Sequence, residues 1–163
     1  MTSGEAIFVS LIVQTITIFG SLLGVILTIL WTARIAGRRA TLDLLLSEQT
    51  DPVLLEFRSQ FLNAWKNGEI EEYAQQDKYY FSSDSFFLAS TINRCDLVAI
   101  GIKQGIIDKN IFKAYWRSSY VMDWSRCKEA VMLRRKFRND PKLFCDFEEL
   151  ARKWALPEEV PLI

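Results

Sequence analysis

The chain has 163 residues, with twenty Lys and Arg against twenty Asp and Glu and no histidine. That balance excludes a broad polyanion-binding surface, and the missing histidine excludes Ser-His-Asp and Cys-His nucleophile systems and all His-ligated metal sites. Cys95, Cys127 and Cys145 are odd in number and widely spaced, which suits reduced, buried thiols in a cytoplasmic compartment.

The charge is not evenly spread. Glu5 is the one charged residue in the first 33, and every basic residue lies from Arg34 onward. From Ala6 to Ala33, 28 consecutive residues lack an ionisable side chain. As a helix this run is about 42 Å long at ~1.5 Å per residue, more than the ~30 Å hydrocarbon core of a bilayer needs. A cleaved signal peptide fits poorly, because the amino end is acidic and the apolar run long. Arg34, Arg38 and Arg39 follow the run, so the positive-inside rule places the amino terminus outside and the rest in the cytoplasm of a bacterial cell, anchored in its inner membrane. These arginines are expected to meet lipid headgroups or, in an oligomer, to ring the cytoplasmic mouth.

Polar residues within the run are ordered. Ser10, Gln14, Thr17, Ser21, Gly24 and Thr28 recur at alternating spacings of four and three and fall within an arc of about 80° on a helix turning ~100° per residue. Phe8, Leu11, Ile12, Ile16, Phe19, Leu22, Leu23, Ile26 and Leu30 occupy the other faces. Lipid cannot satisfy a glutamine amide, so copies of this helix are expected to meet along the stripe. Two or three copies would close it as a dry seam, helped by the close approach that Gly20 and Gly24 allow. Four or more would turn it toward an axis and line a narrow aqueous path. A tetramer is the expected assembly, since few helices suffice for a narrow path and closed symmetry is usual.

Helical periodicity continues through residues 34–50, a connector that would carry the stripe's direction onward. Asp51 and Pro52 open the next helix, with Leu54, Phe57, Phe61, Leu62 and Trp65 on its apolar side and Asn67-Gly68 at its end. A short polar helix over 69–77 and an aromatic connector at Tyr79, Tyr80 and Phe81 follow. A helix then opens at Ser82 or Ser83 and stops at Gly105. Asp108 caps another, rich in aromatic residues, that Asn139-Asp140-Pro141 breaks. Phe144 to Trp154 reads as a last helix, with acidic residues early and basic ones late, as the helix dipole favours. The spacing predicts an all-α protein: residues 1–5 outside, a transmembrane helix over 6–33, the connector over 34–50, a cytoplasmic helical bundle over 51–156 and an extended tail over 157–163.

Arg126, Lys128, Arg134, Arg135, Lys136 and Arg138 form the densest basic run and are candidates for holding the phosphates of a nucleotide or short oligonucleotide, with Tyr115, Trp116, Tyr120 and Trp124 near enough to stack on bases. The same run also suits a solvated helix end, with the aromatics in the core. No phosphate-cradling glycine loop, catalytic constellation, metal site or cofactor is read from the sequence. Neighbouring glutamates such as Glu148-Glu149 do not face one another as an acid/base pair would.

The stretch Arg39-Ala-Thr-Leu-Asp43, the segment from Asn93 to Asp108 and the later Tyr115-Trp116-Arg117, Trp124 and Arg134-Arg135 resemble those of bacterial membrane proteins that join one amino-terminal membrane helix to a helical domain of unassigned function. The design is also similar to membrane effectors of anti-phage defence, the membrane subunit of the Hailong system in particular, which is partnered with a nucleotidyltransferase. The resemblance implies a ligand-gated channel in which a nucleotide or oligonucleotide signal binds the cytoplasmic domain and ions leak. It assigns no ligand-contact residue. The alternative is a membrane-tethered scaffold or superinfection-exclusion protein without a pore.

Overall fold

The computed structural model describes residues 3–76 and 85–160, and no strand occurs among them. Six helices follow in chain order: α1 (Ser3–Thr50), α2 (Pro52–Asn67), α3 (Ile70–Gln76), α4 (Phe86–Lys103), α5 (Lys109–Arg138) and α6 (Cys145–Trp154). The all-α expectation and its long apolar amino-terminal helix are both met. The aromatic connector at Tyr79, Tyr80 and Phe81 and the helix start at Ser82 or Ser83 lie outside the described residues. The backbone divides into two units, Met1–Gly37 and Arg38–Ile163.

In the first unit the described side chains from Ser10 to Ala36 are solvent-exposed. Fourteen large apolar side chains between Leu11 and Trp31 are exposed, Ile16 and Phe19 by about two-thirds each. Left in water, such a set would forfeit on the order of 10 kcal/mol of burial free energy, so this surface needs a cover. The helix is long and apolar enough to cross a membrane.

The second unit is a helical bundle whose boundaries follow from local chemistry. Asp51 accepts from the backbone N–H groups of Val53 and Leu54 at 2.8 and 3.4 Å, with Pro52 next in line, where its missing N–H costs nothing. Gly68 ends α2 at φ 75°, a left-handed conformation that the Glu69 N–H completes by donating to the Ala64 carbonyl at 2.8 Å. Asp108 caps α5 through the Asn110 and Ile111 N–H groups at 2.9 and 3.3 Å, and Asn139 closes that helix at φ 49°.

The core lies where α4, α5 and α6 meet. Phe147, Leu150, Ala151 and Trp154 recur at helical spacing along α6 and are all buried. Phe147 sits edge-on to Tyr120 and Trp124 at ring separations of 4.8 and 5.2 Å. The Tyr120 hydroxyl donates to the Cys95 carbonyl at 2.8 Å, so its one polar atom is satisfied inside the core. Gly101 lets the turn after α4 fold back, since a β-carbon there would stand 2.6 Å from Ile107 Cδ1.

Two expected boundaries change. Residues 38–50 are not a separate connector: Thr41 and Leu45 are buried in the second unit, so this end of α1 is one of its packed elements. The chain beyond Trp154 is not an extended arm where it is described, because residues 157–160 form a turn. The Glu159 carboxylate accepts from the Leu156 N–H at 2.8 Å and from Arg117, whose Nε also donates to the Trp154 carbonyl at 2.9 Å. Arg117 thus ties the carboxyl-terminal turn to α5, a role that helical periodicity does not encode.

Candidate functional site

Ser10, Gln14, Thr17, Ser21, Gly24 and Thr28 all lie on exposed surface of α1. Their polar demands differ. The Thr17 and Thr28 hydroxyls donate to the carbonyls of Val13 and Gly24 at 2.8 and 2.9 Å, one turn back, and so satisfy themselves within the helix. Thr15 and Thr32, off the stripe, do the same at 2.8 Å. The Gln14 amide and the Ser21 hydroxyl have no side-chain hydrogen bond among the described residues. Around Gly20 and Gly24 the helix surface is open: beyond the helix's own nearby backbone, nothing stands within 4 Å of where a β-carbon would be. The need for an outside partner therefore concentrates at Gln14 and Ser21.

The three arginines after the apolar run separate. Arg34 and Arg39 are exposed. Arg38 is exposed as well, and its Nε also pairs with Asp108 at 3.4 Å. The Asp108 N–H donates to buried Thr41 Oγ1 at 2.7 Å. Hydrogen bonds from the Ile111 and Asn110 N–H groups, with Arg38 adding to them, hold the Asp108 carboxyl below its ordinary pKa.

The six cations proposed to hold phosphate do not form one surface. At ~100° per residue they spread over most of the circumference of α5, so no single ligand can meet all of them. Arg126 pairs with Asp123 at 3.1 Å and lies over the Trp65 ring at 4.5 Å. Arg134 is 5% exposed. Arg135 pairs with Glu148 at 2.7 Å and donates to the Leu143 carbonyl at 2.9 Å. Lys128 is half-buried, while Lys136 and Arg138 face outward. Tyr120 and Trp124 are core residues and cannot stack on a base, whereas Tyr115 is exposed and bonded to Gln49.

Sequence reasoning missed an interior charge network around the end of α1. Glu48 of α1 pairs with Arg94 of α4 at 2.9 Å, the Glu48 side chain being 8% exposed. Asp123 of α5, buried, takes Arg58 of α2 as well as Arg126. Burial raises the Glu48 pKa against the opposing pull of Arg94. The signal available was Asp123 itself, an acid set between Met122 and Trp124 on an otherwise apolar face. Its partner Arg58 lies 65 positions away in the chain, while Arg126 is one turn along the same helix. Beside it, burial pushes the Cys95 and Cys127 thiols well above their ordinary pKa, which makes them poor nucleophiles. The network is thus suited to fixing how α1 docks on α4 and α5, since the charges are paired with one another.

A family model described as a domain of unknown function (DUF4760) matches residues 7–154. The chain belongs to the DUF4760 family. The match begins within the apolar run and ends with α6, so the long helix and the bundle both fall within the family's span. No match is found among curated proteins or solved structures.

Proposed function

We propose that this DUF4760 protein is a homo-oligomeric membrane effector whose α1 helices assemble along the Ser10–Thr28 stripe and conduct ions when the cytoplasmic domain receives a nucleotide or oligonucleotide signal. The observation that carries it is the Gln14 amide, exposed on an apolar span with no side-chain hydrogen bond among the described residues. In hydrocarbon that amide is costly, and a second copy or a line of water satisfies it. The helix crosses the bacterial inner membrane with its amino end outside, as the arginines after the run indicate. On this proposal the protein is not an enzyme. Its likeness to membrane effectors of anti-phage defence supports the same role, with a nucleotidyltransferase as the source of the signal and a tetramer as the assembly.

The interior network supplies a means of coupling. Glu48, Leu45 and Thr41 hold the last turns of α1 in the bundle, so a ligand that shifts α4 or α5 acts on α1 directly. Dye-loaded liposomes carrying the full-length protein test this. They should leak when nucleotide extract from phage-infected cells is added and stay sealed without it. Leak that persists in a Gln14→Leu, Thr17→Leu, Ser21→Leu variant would rule out a stripe-lined path.

A membrane-tethered scaffold is the second reading, favoured by the threonine hydroxyls that satisfy themselves. It predicts full activity after α1 residues 6–33 are exchanged for a plain Leu/Ala span, and the effector predicts loss.

A further inference from the structure

Away from the interior network, α4, α5 and α6 enclose a surface groove of about 180 Å³. Its floor is apolar, formed by Ala99, Ile102 and Leu150, and its rim carries Lys103, Lys109 and Lys153, one lysine from each helix. Asp146 and Glu149 complete the rim, and both are drawn to a single amine: Lys103 Nζ lies 2.6 Å from Asp146 and 3.8 Å from Glu149. Lys109 and Lys153 have no ion pair among the described residues. Lys109 and Lys153 thus stand on flexible stems over an apolar floor, and the rim as a whole, three lysines against two carboxylates, keeps a net charge of +1.

We propose that this groove binds a small organic phosphate, with the phosphate held between Lys109 and Lys153 and its apolar or ring portion on Ala99, Ile102 and Leu150. The chemistry selects phosphate over carboxylate. Lysines are compact point charges that gather from several directions around a tetrahedral dianion, whereas a planar carboxylate is matched best by the fork of an arginine, and this rim has none. Asp146 and Glu149 would repel a bare polyanion passing along the groove, so the ligand is a compact molecule with one anionic end. The carboxylates can accept from amino or hydroxyl groups on its other end. None of these residues belongs to the basic run of α5, whose cations are spread around the helix or engaged within the fold.

The groove offers a place for the proposed signal and rests on the effector reading only for what binding does; occupancy itself is measured without a membrane current. Full-length protein in detergent micelles is titrated calorimetrically with the four ribonucleoside 5′-monophosphates and with the matching nucleosides. At least one monophosphate should bind saturably, about tenfold or more tighter than its nucleoside. The double variant Lys109→Ala, Lys153→Ala should weaken that binding at least about tenfold with an unchanged melting profile, while Lys113→Ala, Lys142→Ala leaves it intact. Ile102→Glu, which sets a carboxylate on the floor, should abolish it. No saturable binding by any monophosphate, or equal losses in the two double variants, would overturn the proposal. Binding with no leak from liposomes at full occupancy would leave the groove standing and remove the channel.

Discussion

Asp123 shows how the bundle handles charge at the level of a single side chain. It is 1% exposed and shared between Arg58 and Arg126, so no other group has to solvate it. Asp123→Ala strands two cations in a half-buried setting and should destabilise the protein by about 3–5 kcal/mol in urea unfolding of the micellar protein. Arg126→Met keeps an apolar stem against Trp65 and leaves Asp123 its second partner, so it should cost about 1 kcal/mol in the same assay. Glu148 makes a separable prediction through pH. Burial pushes its carboxyl upward, but hydrogen bonds from Arg135 and Arg152 outweigh that and leave it below its ordinary pKa. A carboxylate with a depressed pKa stabilises the fold fully above its unfolded value and loses that contribution as pH falls through the lowered one. Glu148→Gln should therefore cost about 1 kcal/mol at neutral pH, with the gap to the parent protein closing below about pH 4.

Among the elements, α1 carries most of the interest. Its end is held at Thr41, Leu45 and Glu48, while Leu42 and Leu46 on the adjacent faces are exposed. Asp108 is the hinge of this docking, because it caps α5, takes Arg38 and gives its N–H to Thr41. Asp108→Ala should lower stability by about 2 kcal/mol, against about 1 kcal/mol for Asp51→Ala, which loses a cap alone. Paired thermal melts check the difference; equal losses would mean that Arg38 contributes nothing.

These two aspartates also mark what the sequence could disclose. Both caps, the Asn67-Gly68 stop, the break at Asn139 and the acidic-to-basic order of α6 were legible, because each is settled by residues within one or two turns. The second use of Asp108 was not, since Arg38 and Thr41 stand 70 and 67 positions away. A similar distance hid Arg58 as a partner of Asp123, 65 positions away, and without the packing a run of cations on α5 looked like one surface. Periodicity located the residues on their helix; only packing decides which of them point inward. The lysine groove escaped notice for that reason, as it draws one lysine from each of three helices.

For the molecule as a whole, a DUF4760 chain joins an apolar span to a folded bundle with near-neutral charge. The bundle pairs its buried charges internally, whereas among the described residues the span leaves the Gln14 and Ser21 side chains without a hydrogen bond and its apolar faces uncovered. The two imbalances differ in kind. On the proposed membrane reading, lipid covers the apolar faces, but the amide and hydroxyl need polar company, which points to copies of the same helix. Oxidative cross-linking in native membranes measures this most directly. In a background with Cys95, Cys127 and Cys145 replaced by alanine, cysteines are placed singly at Gln14, Ser21, Phe19 and Ile26. The account predicts disulfide-linked dimers from Gln14→Cys and Ser21→Cys and none from Phe19→Cys or Ile26→Cys. Cross-linking through Phe19 or Ile26, or at none of the four, would contradict it.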